Sequence, residues 1–335
     1  MKGDCMIYII NDSQDPYFNL ASEEYIMNTF QDNEKYLMLW QNRPSIIIGK
    51  HQNTIEEING EFVQTNNVAV VRRLSGGGAV YHDLGNLNFT FIVKVSENSL
   101  DFDFKKFTEP VVAALNRMGI PAEFNSRNDL SIEGKKFSGN AQYIRKGKCL
   151  HHGTLLFNTN LDHLEMALRV SSDKIESKGI KSIRSRVTNI YSYLKSPCSI
   201  EEFKNLLINQ FCLINEKIQS INFSESDRKQ IEELANSKYR TWDWNYGESP
   251  YFTIKKSQRF EFGKIEAWLD VNQGIIRQCK FYGDFFGRED KADIENLLIG
   301  SRYERNDIIF QLRDIQIGSY FHGLNNEQLI KLLIS

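Results

Sequence analysis

The chain has 335 residues, 41% of them hydrophobic and 25% charged, with a formal net charge of −2. That length allows a large core and two domains, and the composition is ordinary for a soluble globular protein. The charge balance excludes a global basic field for nucleic acid, and no apolar run approaches the roughly 18–20 residues that span a bilayer.

Residues 1–11 carry one lysine and an aspartate ahead of a short apolar run, without a small-residue cleavage site, so no signal peptide is expected. The five cysteines (Cys5, Cys149, Cys198, Cys212, Cys279) contain no C-x-x-C pair. Neither a disulfide framework nor a zinc knuckle is favoured, and a reducing cytoplasm is the expected location.

Segment 7–10 reads as a short strand. Asp15 offers an N-cap ahead of Pro16, and Phe18, Ala21 and Tyr25 follow at helical spacing, predicting a helix from 16 to about 30. Segments 36–41 and 45–49 read as buried strands around Asn42-Arg43-Pro44. A strand at 68–71 enters a glycine loop, and 88–95 leaves it. A helix over 108–118 closes at Gly119, with Pro121 beyond. Segments 129–132 and 136–143 make a hairpin around Glu133-Gly134, and 152–158 is a further strand. Helices follow at 161–168, 200–219 and 224–237. The aromatic, turn-rich run Trp242-Asp243-Trp244-Asn245-Tyr246-Gly247 marks a domain edge and linker. A hairpin over 260–271 and 274–282, with amphipathic helices at 290–298 and 325–333, makes a small α+β domain. The expected division is therefore 1–246 and 250–335.

The chemistry concentrates in four stretches. Arg72-Arg73-Leu74-Ser75-Gly76-Gly77-Gly78-Ala79-Val80-Tyr81-His82 joins two cations and a hydroxyl to three successive glycines. Three glycines in a row are costly to order; their usual return is a backbone that approaches an anion closely, here a carboxylate or phosphate. A ligand-free hairpin connection is the other reading. Walker A and G-x-G-x-x-G patterns are both absent. Lys136 lies among the small residues Ser138, Gly139 and Ala141, and strand alternation sends Lys136 and Ser138 to one face, Phe137 to the other. Such a lysine suits a carboxylate or α-phosphate, or is a solvated surface cation. Asn128-Asp129 reads as a turn, or as oxygen ligands for a sugar or magnesium. Adjacent His151 and His152 point to opposite faces and make a poor zinc pair. Loop 178–189 brings Lys178, Lys181, Arg184 and Arg186 together, either as a solvated loop or as a lid over a polyanion.

Together these stretches resemble the bacterial lipoate–protein ligases of the A type. The likeness is carried by 72–86, Arg-Asn-Asp-Leu at 127–130, Lys-x-Ser-Gly-x-Ala at 136–141, and His-His-Gly-Thr-Leu-Leu at 151–156. It continues through Arg-Ser-Arg-Val-Thr-Asn at 184–189 and Trp-x-Trp-Asn-x-Gly at 242–247 into the C-terminal segment. Leu74 stands where some relatives carry a polar residue.

The resemblance implies an α/β (α+β) fold: a catalytic domain of the biotin/lipoate-ligase type with mixed sheets flanked by helices, plus a small accessory domain. It implies a two-step reaction, in which lipoate and ATP with Mg2+ give lipoyl-AMP, and the lipoyl group passes to a protein lysine. The implied acceptors are lipoyl domains of 2-oxoacid dehydrogenases or the glycine-cleavage H protein; a monomer is expected, with no nucleic-acid or membrane partner. By the same resemblance Lys136 is catalytic. Arg73, Gly76, Gly77, Gly78, Ala79, Val80, Tyr81, Asn128, Asp129, Arg184 and Ser185 hold the nucleotide, with Asp129 the candidate for Mg2+. Glu23, Trp40, Arg72, Ser75, His82, Ser138, Gly139 and His151 surround the acid. Three rivals stay open: a transferase using Cys149 as nucleophile, a biotin ligase, and a non-catalytic lipoate-binding protein.

Overall fold

The structure, a computed structural model, describes residues 6–29, 35–95, 103–125, 128–168, 186–214, 218–246, 254–272, 275–303 and 305–334. In chain order its strands are β1 (Met6–Ile10), β2 (Lys35–Trp40), β3 (Ser45–Ile48), β4 (Ala69–Arg72), β5 (Val80–His82), β6 (Asn86–Lys94) and β7 (Ala122–Asn125). They continue with β8 (Asp129–Ile132), β9 (Lys135–Arg145), β10 (Lys148–Leu156), β11 (Ile218–Asn222), β12 (Ile254–Phe260), β13 (Gly263–Asn272) and β14 (Ile275–Gly283).

Among the described residues, eight strands form one mixed sheet in the order β11-β1-β2-β6-β10-β9-β8-β7. The β11-β1-β2 edge is parallel and the remainder antiparallel. Side-chain alternation explains why both faces are covered. Along β2, Leu37 and Leu39 enter one core, with Val111 and Leu115 of helix Phe104–Arg117 and Phe203, Leu207 and Phe211 of helix Ile200–Ile214. Tyr36, Met38 and Trp40 enter the other, with helices Pro16–Thr29 and Glu225–Leu234 and with Ile47 and Val71 of a second sheet. Each such fully buried side chain contributes about 1.5–3 kcal/mol. The second sheet, β4-β3-β5, lies over this face, and the space between the two sheets becomes the site.

Local signals explain most element starts. The N–H of Tyr17 donates to Asp15 Oδ1 at 3.2 Å, so Asp15 caps the first helix. Glu133 and Gly134, with φ of 51° and 74°, make the tight β8–β9 turn. Several expectations are corrected. The helix expected over 200–219 stops at Ile214, because 218–222 is drawn into parallel pairing with β1. The helix expected from 108 begins at Phe104, capped by Asp103 and carrying Pro110 inside it. β10 begins four residues earlier than expected, at Lys148, where both neighbouring strands still offer partners. The run 242–247, expected as a linker, is instead a short helix at Trp242–Asn245.

Beyond residue 253, β12-β13-β14 form an antiparallel sheet covered by helices Lys291–Leu298, Arg305–Leu312 and Asn326–Ile334. Strand β12 and helix Arg305–Leu312 were not foreseen from the pattern. Phe281, Phe285, Phe321 and Leu329 centre its core. This unit touches the glycine loop: an added Cβ on Gly76 would stand 2.1 Å from the Phe285 carbonyl oxygen. Gly283 N–H donates to the His51 carbonyl at 2.6 Å, and the Phe285 and His51 rings stack at 4.4 Å. Among the described residues no helix is long and apolar enough to cross a membrane.

Candidate active site

A cleft opens between the two sheets. Its floor is a cross-strand row that follows from register. Trp40 pairs with Asn88 and Asn88 with Thr154. Thr154 Oγ1 accepts the Gly139 N–H at 3.1 Å, and Gly139 pairs with Asp129. Leu20, Ile47, Ala79 and Val80 add apolar wall, and Lys136, Asn128, Asn140 and Ala141 line the cleft on the β9 side, three strands from Trp40 on β2.

Arg73 shapes the glycine loop. Its guanidinium donates to the carbonyls of Ile47 (3.1 Å), Gly76 (2.7 Å) and Gly78 (2.8 Å), and to Ser75 Oγ (3.0 Å). In a trans peptide the N–H opposes the C=O, so the N–H groups of Gly77 and Ala79 point away from that cation. Burial pushes the Arg73 pKa down to about 10, which still leaves it charged at neutral pH. Gly77 sits at φ 90°, where a Cβ would crowd Arg73 at 3.0 Å, whereas a Cβ on Gly78 meets nothing within 4 Å.

Lys136 Nζ pairs with Asp129 Oδ1 at 2.7 Å, both side chains partly exposed. The pairing register shifts between Leu130 and Ser131, so Lys136 stands over Gly139, whose added Cβ would lie 3.1 Å from Nζ. A simple alternation would have paired Lys136 with Ser138; the bulge overrides it, and Ser138 is buried under Asn140 at 3.3 Å. Phe137 enters the core as expected. The Thr188 N–H donates to the Lys136 carbonyl at 2.9 Å, so the basic loop returns beside this lysine. Arg184 and Ser185 lie outside the described residues.

Behind the floor runs a chain of hydrogen bonds. Trp40 Nε1–H donates to Thr90 (2.9 Å), and the Thr90 hydroxyl donates to Glu23 Oε1 (2.6 Å). Glu23 faces His152 Nδ1 at 3.0 Å, and His152 Nε2 meets Ser75 Oγ at 2.6 Å. The apolar wall and the glycine loop are thereby tied together through one buried carboxylate.

The cleft brings together Lys136, Arg73, Gly77, Gly78, Ala79, Val80, Asn128, Trp40, His82 and Gly139. It does not bring in all the expected residues. Arg72 is buried and spends its guanidinium on the carbonyls of Gly49, Lys50, Gln52, Trp244 and Asn245 and on Thr54 Oγ1. It is a staple rather than a contact for the acid. Gly76 is covered by Phe285, and the Tyr81 side chain is buried beneath β5. Ser75 and Glu23 stand behind the wall, holding His152. His151 is corrected most clearly: its ring sits in the core, stacked at 4.9 Å on Phe107 and bonded to Gln142 at 2.9 Å. Burial holds its pKa well below the usual histidine range. His152 is the cleft residue instead. Asn88, Asn140, His152 and Thr154 were missed as site residues, although the period-two spacing of 88/90 and 152/154 carried the signal.

Cys149 belongs to the core facing away from the cleft, and burial pushes its thiol up to about 12. A thiol so disfavoured as thiolate makes a poor nucleophile.

Residues 15–212 match the family model of the lipoyl protein ligase A/B catalytic domain, and 249–333 match that of the bacterial lipoate protein ligase C-terminus. The chain is 47% identical to the lipoate-protein ligase LplJ of Bacillus subtilis over 331 residues, 98% of this chain and 100% of that protein. Among solved structures, P. falciparum LipL1 in complex with lipoate aligns at a TM-score of 0.77 and 26% identity, over 98% of both chains. A lipoate-protein ligase A bound with ATP aligns at a TM-score of 0.63 and 30% identity, over 74% of this chain and 99% of that one. With catalytic and C-terminal segments both matched, the chain belongs to the lipoate–protein ligase family, a family of enzymes.

Proposed function

We propose that this protein activates lipoate with ATP to lipoyl-AMP and then transfers the lipoyl group to a lysine of a lipoyl domain. The acceptors we propose are lipoyl domains of 2-oxoacid dehydrogenases or the glycine-cleavage H protein. Residues 1–246 carry both steps, 250–335 form an accessory unit over the glycine loop, and the cytoplasm is the setting. The observation that carries the reading is one ammonium, Lys136, in a cleft that also presents the apolar side chains of Trp40, Leu20 and Ile47 and is bordered by a glycine loop.

In the first step a carboxylate oxygen of lipoate attacks the α-phosphorus of ATP, and the bond to pyrophosphate breaks. Lys136 sits where charge builds up on the α-phosphate, and exchanges Asp129 for the incoming anion. The amides of Gly77 and Ala79, turned out by Arg73, face the phosphates, and Asn128 lies beside the nucleotide. Burying the acid's methylenes contributes about 0.8 kcal/mol each. Magnesium, when bound with ATP, neutralises phosphate charge. Among the described residues no cluster of three or more metal-ligating side chains exists. Asp129 is the carboxylate that would help hold such an ion, which takes oxygen ligands.

In the second step the acceptor amine attacks the acyl carbon, the bond to AMP breaks, and the amine gives up a proton. A free lysine has a pKa near 10.4, so only about one in a few thousand is neutral at pH 7. Asp129 is our candidate for receiving that proton. Asp129→Asn retaining full transfer from preformed lipoyl-AMP would remove it from that role.

The buried Cys149 argues against a thioester mechanism. Intact-mass spectrometry of an apo lipoyl domain incubated with this protein, ATP, magnesium and lipoate tests the reading. A lipoyl-sized mass gain that vanishes without ATP is expected; a gain independent of ATP, or none, refutes it.

A further inference from the structure

A second cavity, of about 230 Å³, lies beside the cleft on the same face of the eight-stranded sheet. Ala141 on β9 and His152 on β10 line the cleft. Tyr143 stands two residues further along β9 and Lys148 four residues back along β10, so both face the same way, about 7 and 13 Å off. Arg145 pairs directly with Lys148, and Lys146 occupies the turn that joins their strands. Arg145, Lys146, Lys148 and Tyr143 line this cavity together with Glu24 of helix Pro16–Thr29 and Leu74. Leu74 marks the division between the two spaces, since its neighbour Arg73 lines the cleft.

Two features of this corner cost stability. Lys148 has Arg145 of β9 directly opposite on one side and Lys94 of β6 on the other, and like charges so placed repel. Lys146 sits at φ 49°, a left-handed conformation that Asn or Gly adopts with less strain. Three cations thus converge on one small space. The one carboxylate among its described lining residues is engaged elsewhere: Glu24 accepts from Lys238 Nζ at 2.8 Å and from the Tyr239 hydroxyl at 2.7 Å. A further cation, Lys50, stands 5.9 Å from the Tyr143 ring and 3.6 Å from Asp290. Burial raises the Tyr143 pKa above its ordinary value, so the hydroxyl keeps its proton and can donate.

We propose that this cavity is a second anion site, separate from the glycine loop, for a small multivalent phosphate such as pyrophosphate. A carboxylate brings one negative charge, whereas phosphate groups pack two or more into a small volume, which is what three converging cations match. The Arg145 guanidinium offers paired donors to two oxygens of one phosphate, and the lysines act as point charges beside it. The volume equals roughly seven water shares of about 30 Å³, room for a small anion rather than a whole nucleotide. The proposal stands whether or not the lipoate-activating reading does.

Calorimetric titration of the full chain with sodium pyrophosphate, without ATP or magnesium and at low salt, tests it. Saturable binding with a Kd below about 100 μM is expected. Arg145→Gln with Lys146→Asn removes two cations from an exposed turn and eases the backbone at 146, so folding is retained. Each charge-assisted contact is worth about tenfold or more in affinity, so the double variant is expected to lose one equivalent of bound pyrophosphate. The glycine loop can also take pyrophosphate, and an equivalent bound there is expected to persist. Arg259→Gln with Lys331→Gln removes two exposed cations from the C-terminal unit and is expected to leave the isotherm unchanged. No binding at millimolar pyrophosphate overturns the proposal, as does an isotherm that the turn substitutions leave intact. An equal loss in the C-terminal control also overturns it, because the effect is then one of net charge. Should the double variant fail to fold, Arg145→Gln alone is read in the same way, with about a tenfold loss expected.

Discussion

Arg72→Lys separates a structural arginine from a substrate-binding one. The guanidinium reaches six acceptors at 2.6–3.2 Å, drawn from the 49–54 loop and the Trp242–Asn245 helix. A lysine ammonium has three donors in a compact head, so at least three of the six hydrogen bonds are lost. The Gly49 and Asn245 carbonyls keep the Gln52 N–H and the Thr54 hydroxyl, whereas the Lys50, Gln52 and Trp244 carbonyls depend most on the guanidinium. Each buried group left unpaired costs about 1–3 kcal/mol, and relaxation makes the sum less than additive, so we expect about 3–5 kcal/mol in total. At about 2–4 °C per kcal/mol for a domain of this size, the melting temperature falls by about 10 °C. The assay is thermal unfolding beside the KM for lipoate at a temperature where the variant stays folded. We expect the large drop in melting temperature and a KM within twofold of the parent. A melting temperature within about 2 °C of the parent, with KM raised tenfold, would show that Arg72 contacts the acid and that the staple argument is wrong.

Lys136→Met should slow adenylation by about 10²–10³ while changing stability by less than about 1 kcal/mol, because its ion pair is partly exposed. Pyrophosphate release and urea unfolding check the two halves separately. Cys149→Ala should keep ATP-dependent transfer, which acceptor mass spectra would show; loss of transfer with intact folding would revive the thiol route. Gly76→Ala places a methyl against the Phe285 carbonyl and should destabilise by about 1–3 kcal/mol in urea unfolding, far more than the same change at Gly78. Lowering the pH should weaken the fold through His82. Its folded pKa of about 3 lies below the unfolded value near 6.5, so the unfolded chain takes the proton first. Stability is full above pH 6.5 and declines towards pH 3, by about 2 kcal/mol at pH 5 from this ring alone. His82→Gln should flatten that part of the pH profile, as urea midpoints at pH 7 and pH 5 will show.

What the sequence disclosed was what short-range chemistry determines. The Asp15-Pro16 helix start, the Glu133-Gly134 turn and the strand entering the glycine loop follow from local rules and appear; the strand expected over 88–95 appears as β6, but the short β5 that directly leaves the loop was not foreseen. The Lys136 neighbourhood was legible because a lysine followed at once by the small residues Ser138, Gly139 and Ala141 is unusual in a strand. What stayed hidden needed a distant partner. Strand β11 has weak periodicity and exists because β1 offers an edge. The bulge at Phe137, beside Lys136 on β9, depends on pairing with β8, so alternation misassigned Ser138. Choosing between His151 and His152 required knowing which face of β10 meets the second sheet, which no local spacing reveals. Arg72 and Arg73 look alike in the sequence and differ only in what surrounds them.

The Arg72 staple has a consequence for biosynthesis. Its last acceptors, on Trp244 and Asn245, are 172 and 173 positions further along the chain. A nascent chain emerging N-terminus first therefore holds that cation near a half-built interior until more than two-thirds of the polypeptide has been made. Translation stalled before codon 245 leaves an intermediate in which the Arg72 guanidinium holds the 49–54 segment but lacks its partners on Trp244 and Asn245, and partly built interiors of this kind are prone to aggregation.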